Sequence, residues 1–259
     1  MRAKVYLILF LLLTVLAGTA YLCSETMRIS EVVVLGCVEQ DPAKVAELAQ
    51  ITGDLSVFKL KMKEVSARVE SDPYFDVDSV RYIFPDKLRI TVKEHLASAY
   101  IPLGGSMCIL DEDSMVLEKV LTLGDRVLPI AQGVAPPFDP EVGKKLDTAF
   151  PEEMVDVASR QCAALSAVLT QLRAQDALSM ISQINVTEVS DITMETVAGF
   201  SVSLGNFDEM ENKIRWYKGV EPILLSEGYT GGVITVSTGN SASFLPTDTK
   251  SKAPEEPEE

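Results

Sequence analysis

The sequence predicts an α+β protein in three parts: an N-terminal transmembrane helix, a strand-helix-helix-strand-strand domain, and a β-rich domain with two helices. Three observations carry this. Twenty uncharged residues lie between Lys4 and Glu25. From Ile29 to Val92 the apolar period changes from two to 3.6 and back to two. Beyond residue 98, short alternating segments flank two long amphipathic ones. With 259 residues, 47% hydrophobic and 24% charged, the chain has enough apolar material for one or two folded domains and is not a disordered protein. Its 38 acids against 23 bases give a net charge of −15. Such a body repels phosphate backbones, which excludes nucleic acid as a partner.

The first apolar run is mostly Leu, Ile, Val and Ala. As a helix rising about 1.5 Å per residue it is roughly 30 Å long, the thickness of a bilayer core. Arg2 and Lys4 precede it and Glu25 follows, so the positive-inside bias leaves residues 1–4 in the cytoplasm. The expected anchor is 5–24, with Val5 and Leu22 near its ends. Everything after Ser24 then faces outward. Gly18-Thr19-Ala20 offers a competing signal-peptidase site, which would release a secreted protein, but the run exceeds the ~7–15 residues of a signal-peptide core.

Residues 25–97 read as one domain. Ile29, Val32 and Val34 alternate and end at Gly36, as in a short strand. Asp41 then caps a helix with Pro42 at its first position and Val45, Leu48 and Ala49 on one face, ending at Gly53. A second helix covers Lys61 to Ser71 through Met62, Val65 and Val69, and Asp72-Pro73 stops it. Val80, Tyr82 and Phe84, a Pro85-Asp86 turn, then Leu88, Ile90 and Val92 make a hairpin. Two helices on one face of a small sheet follow.

These residues also resemble a known family. Ile29-x-x-Val32-x-Val34-x-Gly36, Asp72-Pro73-Tyr74-Phe75-Asp76-Val77 and Phe84-Pro85-x-x-Leu88-x-Ile90-x-Val92-x-Glu94 resemble the POTRA domain of the FtsQ/DivIB bacterial cell-division family. His95 and Ala97 stand where that family usually has Arg and Pro. Further on, Ile109-Leu110-Asp111 to Met115-Val116-Leu117, Leu128-Pro129-Ile130 with Gly133, Phe200 to Gly205 with Lys213 and Trp216-Tyr217 behind, and Gly232 to Ser237 resemble the family's β domain, here 98–245. Thr235 replaces its usual Asp.

Within that domain, Glu152 to Arg173 is the clearest helix, starting after Pro151 with two acids and carrying Met154, Val157, Ala158, Leu165, Leu169 and Leu172. A second helix runs from Asp208 to about Leu225 and stops at Gly228. Strands are expected around Ile184 to Val186, Ile192 to Met194 and Phe200 to Leu204. Residues 246–259, rich in Pro and acids, read as a disordered acidic tail.

Signals of chemistry are sparse. Ser56-Val57-Phe58-Lys59 fits the S-x-x-K pattern of penicillin-interacting enzymes, and a cell-wall serine enzyme using Ser56 and Lys59 is the alternative function. The S-D-N and K-T-G elements it needs are missing. His95 reads as a surface residue at a domain junction, because its neighbour Glu94 points to the opposite face of the strand. Asp111-x-Asp113 fits the start of a calcium loop, yet Met115 sits where a ligand belongs, and a turn is the better reading. Four Cys without a CxxC and a single His form no zinc set, and Cys37, Cys108 and Cys162 read as buried small hydrophobes. No cofactor, metal or catalytic residue is expected.

The resemblance implies a non-enzymatic scaffold concentrated at the division septum. Its implied partners are coiled-coil proteins of the FtsB/DivIC and FtsL types, with the septal peptidoglycan synthase as a further one. The residues suggest how it would bind. Val233, Ile234, Thr235, Val236 and Ser237 form the last apolar strand and precede a polar stretch, so they are expected at a sheet edge open to strand addition.

Overall fold

The computed structural model describes residues 2–26, 28–51, 56, 60–237 and 241–247. The chain divides into two compact units, Met1–His95 and Leu96–Glu259.

In the first unit, α1 covers Arg2–Thr26. Its described side chains, Tyr6 and residues 8–19, are apolar or uncharged and largely exposed. The expected transmembrane helix is not met here: among the described residues no helix is long and apolar enough to cross a membrane.

The order that follows is the one the periodicity predicts. β1 (Glu31–Leu35), α2 (Pro42–Ala49), α3 (Met62–Val69), β2 (Phe75–Ile83) and β3 (Lys87–Glu94) make a three-stranded sheet in the order β1-β3-β2. β1 pairs parallel with β3, and β2 antiparallel with it. Asp41 caps α2 by accepting the Ala43 amide at 2.9 Å, with Pro42 at the first turn. α2 ends at Ala49, where Gln50 turns left-handed, rather than at Gly53, which lies outside the described residues. Val45 and Ala49 of α2 and Val65 and Val69 of α3 bury against Phe75, Leu88, Ile90 and Val92. Gly36 is required after β1: its φ is +102°, and a Cβ there would lie 1.8 Å from the Val92 carbonyl oxygen.

The second unit is built on one nine-stranded sheet. Its strands are β4 (Ala99–Leu103), β5 (Ser106–Leu110), β6 (Val116–Val120), β7 (Ile130–Gln132), β8 (Ile181–Asn185), β9 (Ile192–Thr196), β10 (Phe200–Gly205), β11 (Gly232–Thr235) and β12 (Ser243–Leu245). They lie in the order β12-β11-β10-β9-β8-β7-β4-β5-β6. Two long helices, α4 (Glu152–Ala174) and α5 (Met210–Ser226), bury Leu165, Leu169, Leu172, Ile214 and Tyr217 in one core with Val202, Leu204, Ile234 and Val236. α4 begins and ends within a residue of the sequence reading, because proline and two acids fix its start.

α5 connects β10 to the parallel strand β11. Lys213 is buried near its start and donates to the Asn206 backbone oxygen at 2.7 Å and to its side-chain oxygen at 2.8 Å. Burial lowers its pKa, an effect opposed by Asp208 and Glu209. Replacing Lys213 with Ala should cost about 2 kcal/mol, since it leaves the turn's acceptors unpaired and a void beneath them. Chemical denaturation of the variant measures that loss.

Candidate functional site

The first unit's motif residues hold its elements together. Asp72 accepts the Tyr74 amide at 3.0 Å and pairs with Lys44 of α2 at 2.8 Å. The Lys44 ammonium lies 5.1 Å from the Tyr74 ring centre and 5.6 Å from that of Phe75. The Asp72-to-Phe75 motif is thus a tie between a helix and the start of β2.

Glu94 does comparable work at the end of β3. Its buried carboxylate accepts the amides of Val38, Glu39 and Gln40, the last at 2.9 Å. Three successive N–H groups around one carboxylate form an anion nest filled from within. Nothing in the spacing of 38–40 and 94 announces this contact. The family-like Glu at the end of the last strand was the only available signal.

His95 is not the exposed junction residue expected. Its side chain is 10% exposed, and its Nε2 lies 2.9 Å from Asp76. It follows β3, and its amide donates to the Tyr74 carbonyl, which turns the ring toward β2. Ser56 forms a bridge with Arg28, while Val57, Phe58 and Lys59 lie outside the described residues. Asp111 forms the turn that its mismatch to a calcium loop suggested: one carboxylate oxygen accepts the amides of Asp113 at 2.9 Å and Met115 at 2.7 Å. No cluster fit to hold a metal ion occurs among the described residues.

Burial pushes the thiols of Cys108 and Cys162 up to about 11 and raises that of Cys37 as well, where Glu94 and Asp41 add to the effect. A thiol held neutral is a poor nucleophile. Alkylation of Cys108 and Cys162 in the folded chain at pH 8 should therefore run at least tenfold slower than in urea, as mass spectrometry of the labelled peptides would read.

The closing strands differ from expectation in an informative way. Val233, Ile234 and Thr235 lie in β11, which is not an edge: it pairs parallel with β10 and antiparallel with β12. The Val236 amide donates to the Ser203 carbonyl at 2.9 Å, and Ser237 lies beyond the strand. The correction comes from a three-residue strand, too short and too polar for alternation to reveal. Ser243, Phe244 and Leu245 cover the edge assigned to β11.

That makes β12 the terminal strand. Backbone groups alternate sides along a strand. Since the Val236 amide faces β10, that of Ile234 does too, and those of Val233 and Thr235 face β12. Their partners in the register are Leu245 and Ser243. The Phe244 N–H and carbonyl therefore point away from the sheet. The Phe244 side chain faces inward, 6.1 Å from the Phe200 ring and 5.0 Å from Tyr229, both edge-on. Gly232 leaves room for it: a Cβ at Gly232 would lie 2.4 Å from the Phe244 ring. At the opposite end of the sheet, β6 is already engaged, because Val116 exchanges hydrogen bonds with Gly143 and Lys144.

Comparison with known proteins agrees with the fold of the first unit. Residues 27–95 match the model of the FtsQ-type POTRA domain. The chain is 26% identical over 210 residues to the cell division protein FtsQ of Syntrophotalea carbinolica, covering 80% of this chain and 70% of that one. It is 22% identical over 201 residues to the cell division protein DivIB of Clostridium tetani, covering 76% and 71%. Among solved structures, the major extracytoplasmic domain of DivIB from Geobacillus stearothermophilus matches at 15% identity and a TM-score of 0.30, over 52% of this chain and 97% of that one. With its POTRA motifs folded as the residues predict and two relatives matched over most of its length, the chain carries an FtsQ-type POTRA domain and is similar to the bacterial cell-division proteins FtsQ and DivIB.

Proposed function

We propose that this protein is a membrane-attached division scaffold that captures other single-span division proteins by strand addition to β12. The observation that carries this reading is the outward-facing N–H and carbonyl of Phe244 on the terminal strand of a nine-stranded sheet. An incoming strand satisfies both groups, and Phe244, packed between Phe200 and Tyr229, holds the receiving edge rigid. Residues 233–237 serve as the support on which β12 lies rather than as the docking edge itself. The partners are coiled-coil proteins of the FtsB/DivIC and FtsL types, through which septal peptidoglycan synthesis is controlled. The chain acts without catalysis of its own.

Attachment to the membrane rests on the uncharged run 5–24, and bulk placement outside the cytoplasm on Arg2 and Lys4 before it. Alkaline carbonate extraction of membranes tests that part separately: release of the chain into the supernatant refutes it.

The strand-addition reading is tested by a photo-crosslinking residue placed at Ser243 in the full chain in dividing cells, beside a control at Val127. Both positions are exposed. Linkage from Ser243, and not from Val127, to small single-span coiled-coil proteins is the expected result. Equal linkage from both positions, or none from Ser243, removes β12 as the receiving edge.

A further inference from the structure

α5 carries an apolar surface of which only Val220 also packs against the core. Trp216, Gly219, Val220 and Ile223 line a groove of about 340 Å³ flanked by Arg215, with Trp216 44% and Ile223 57% exposed. The offsets of three, four and seven are those of a helix seam that receives another helix. Gly219 stands at its centre, although glycine inside a helix costs up to about 1 kcal/mol relative to Ala. Among the described residues a Cβ there would meet no atom within 4 Å, so packing within the chain does not require it. A notch of this kind lets a second backbone approach closely.

Two bases of α5 stand by the groove, Arg215 in its lining and paired with Glu211, and Lys218 on the same helix. Arg215 donates to Glu211 and Asn212, and Lys218 to the Gln175 carbonyl, which leaves further donors on both side chains.

A complementary surface lies at the start of α4. Met154 and Val157, one turn apart, are 48% and 57% exposed, and Glu153 and Asp156 stand beside them, also exposed. The acids suit the positive end of the helix, but the dipole gives no reason for two exposed apolar side chains in the same two turns.

We propose that the α5 groove of one copy receives the first two turns of α4 from a second copy, Met154 and Val157 entering beside Gly219 while Glu153 and Asp156 meet Arg215 and Lys218. The two surfaces differ, so the contact is head-to-tail and repeats from copy to copy instead of closing as a symmetric pair. A two-turn seam is roughly 10 Å long, and its area falls well below the ~800 Å² per partner of a stable complex. Association is accordingly weak in dilute solution and favoured where copies are concentrated.

The test uses the full chain in membranes, with a photo-crosslinking residue at Val157 and two differently tagged copies. The expected product is a covalent dimer whose linked peptide falls within residues 210–226 of the other copy. Trp216→Asp or Arg215→Glu in the receiving copy should lower its yield at least fivefold, and Asp156→Arg in the donor should restore it against Arg215→Glu. Monomer only, a link outside α5, a link to a helix of a different protein, or a charge reversal without rescue each overturns the proposal. The Ser243 probe, run in parallel, reports strand addition independently, so either result can fail while the other holds.

Discussion

Glu94→Ala should lower the stability of the POTRA unit by about 3–4 kcal/mol, because three amides lose a buried charged acceptor at once. For a domain of this size that is a fall in melting temperature on the order of 15 °C. Glu94→Gln, which keeps one carbonyl oxygen in the nest, should lose roughly half as much. Amide exchange of Val38, Glu39 and Gln40 provides the local readout, and these three should lose protection first. A loss under about 1 kcal/mol with unchanged exchange would mean that the 37–40 loop is held by its own turn geometry, and that the carboxylate merely occupies it.

The second large effect is alkaline. Cys108 and Cys162 carry values of about 11 in the folded chain against an ordinary 9.0, through burial in the β-domain core. Between these limits the unfolded chain has released protons that the folded chain retains, so stability falls as pH rises. The contribution is intact below pH 9 and lost through pH 11. At about 1.4 kcal/mol per pH unit for each thiol, the two together amount to at most about 5–6 kcal/mol. Tyr217, whose pKa is raised by burial and by Glu221, acts in the same direction, whereas Lys213, with a lowered pKa, opposes it. The comparison that isolates the thiols is denaturant unfolding of the Cys108→Ala/Cys162→Ala chain and the native chain at pH 8 and pH 10.5. The double variant should start less stable, with two small voids, yet decline less with pH. Parallel declines would show that the thiols contribute nothing.

Much of the fold was legible in the residues, for identifiable reasons. The POTRA unit could be read because each boundary has chemical punctuation: Gly36, Asp41-Pro42, Asp72-Pro73 and Pro85-Asp86. α4 was legible for the same reason and for its long apolar face. β4 was missed, although Ala99 and Ile101 alternate inward, because Pro102 inside Ala99–Leu103 masks the pattern. The candidate site was half legible. The last apolar strand was found, but its position in the sheet depends on β12, whose three residues carry no period. Glu94 stood out only through the family-like motif, and its nest was invisible, since a carboxylate that binds a loop more than fifty positions away leaves no local trace.

The strand order also fixes when the proposed receiving edge can exist. From β7 the sheet grows in chain order through β8, β9, β10 and β11, and among the described residues β12 comes last both along the chain and across the sheet. A chain that emerges N-terminus first completes this edge only after every strand beneath it is in place. On the proposed function, the edge is a certificate of finished folding: a copy arrested at β9 or β10 has no β12 to offer a partner.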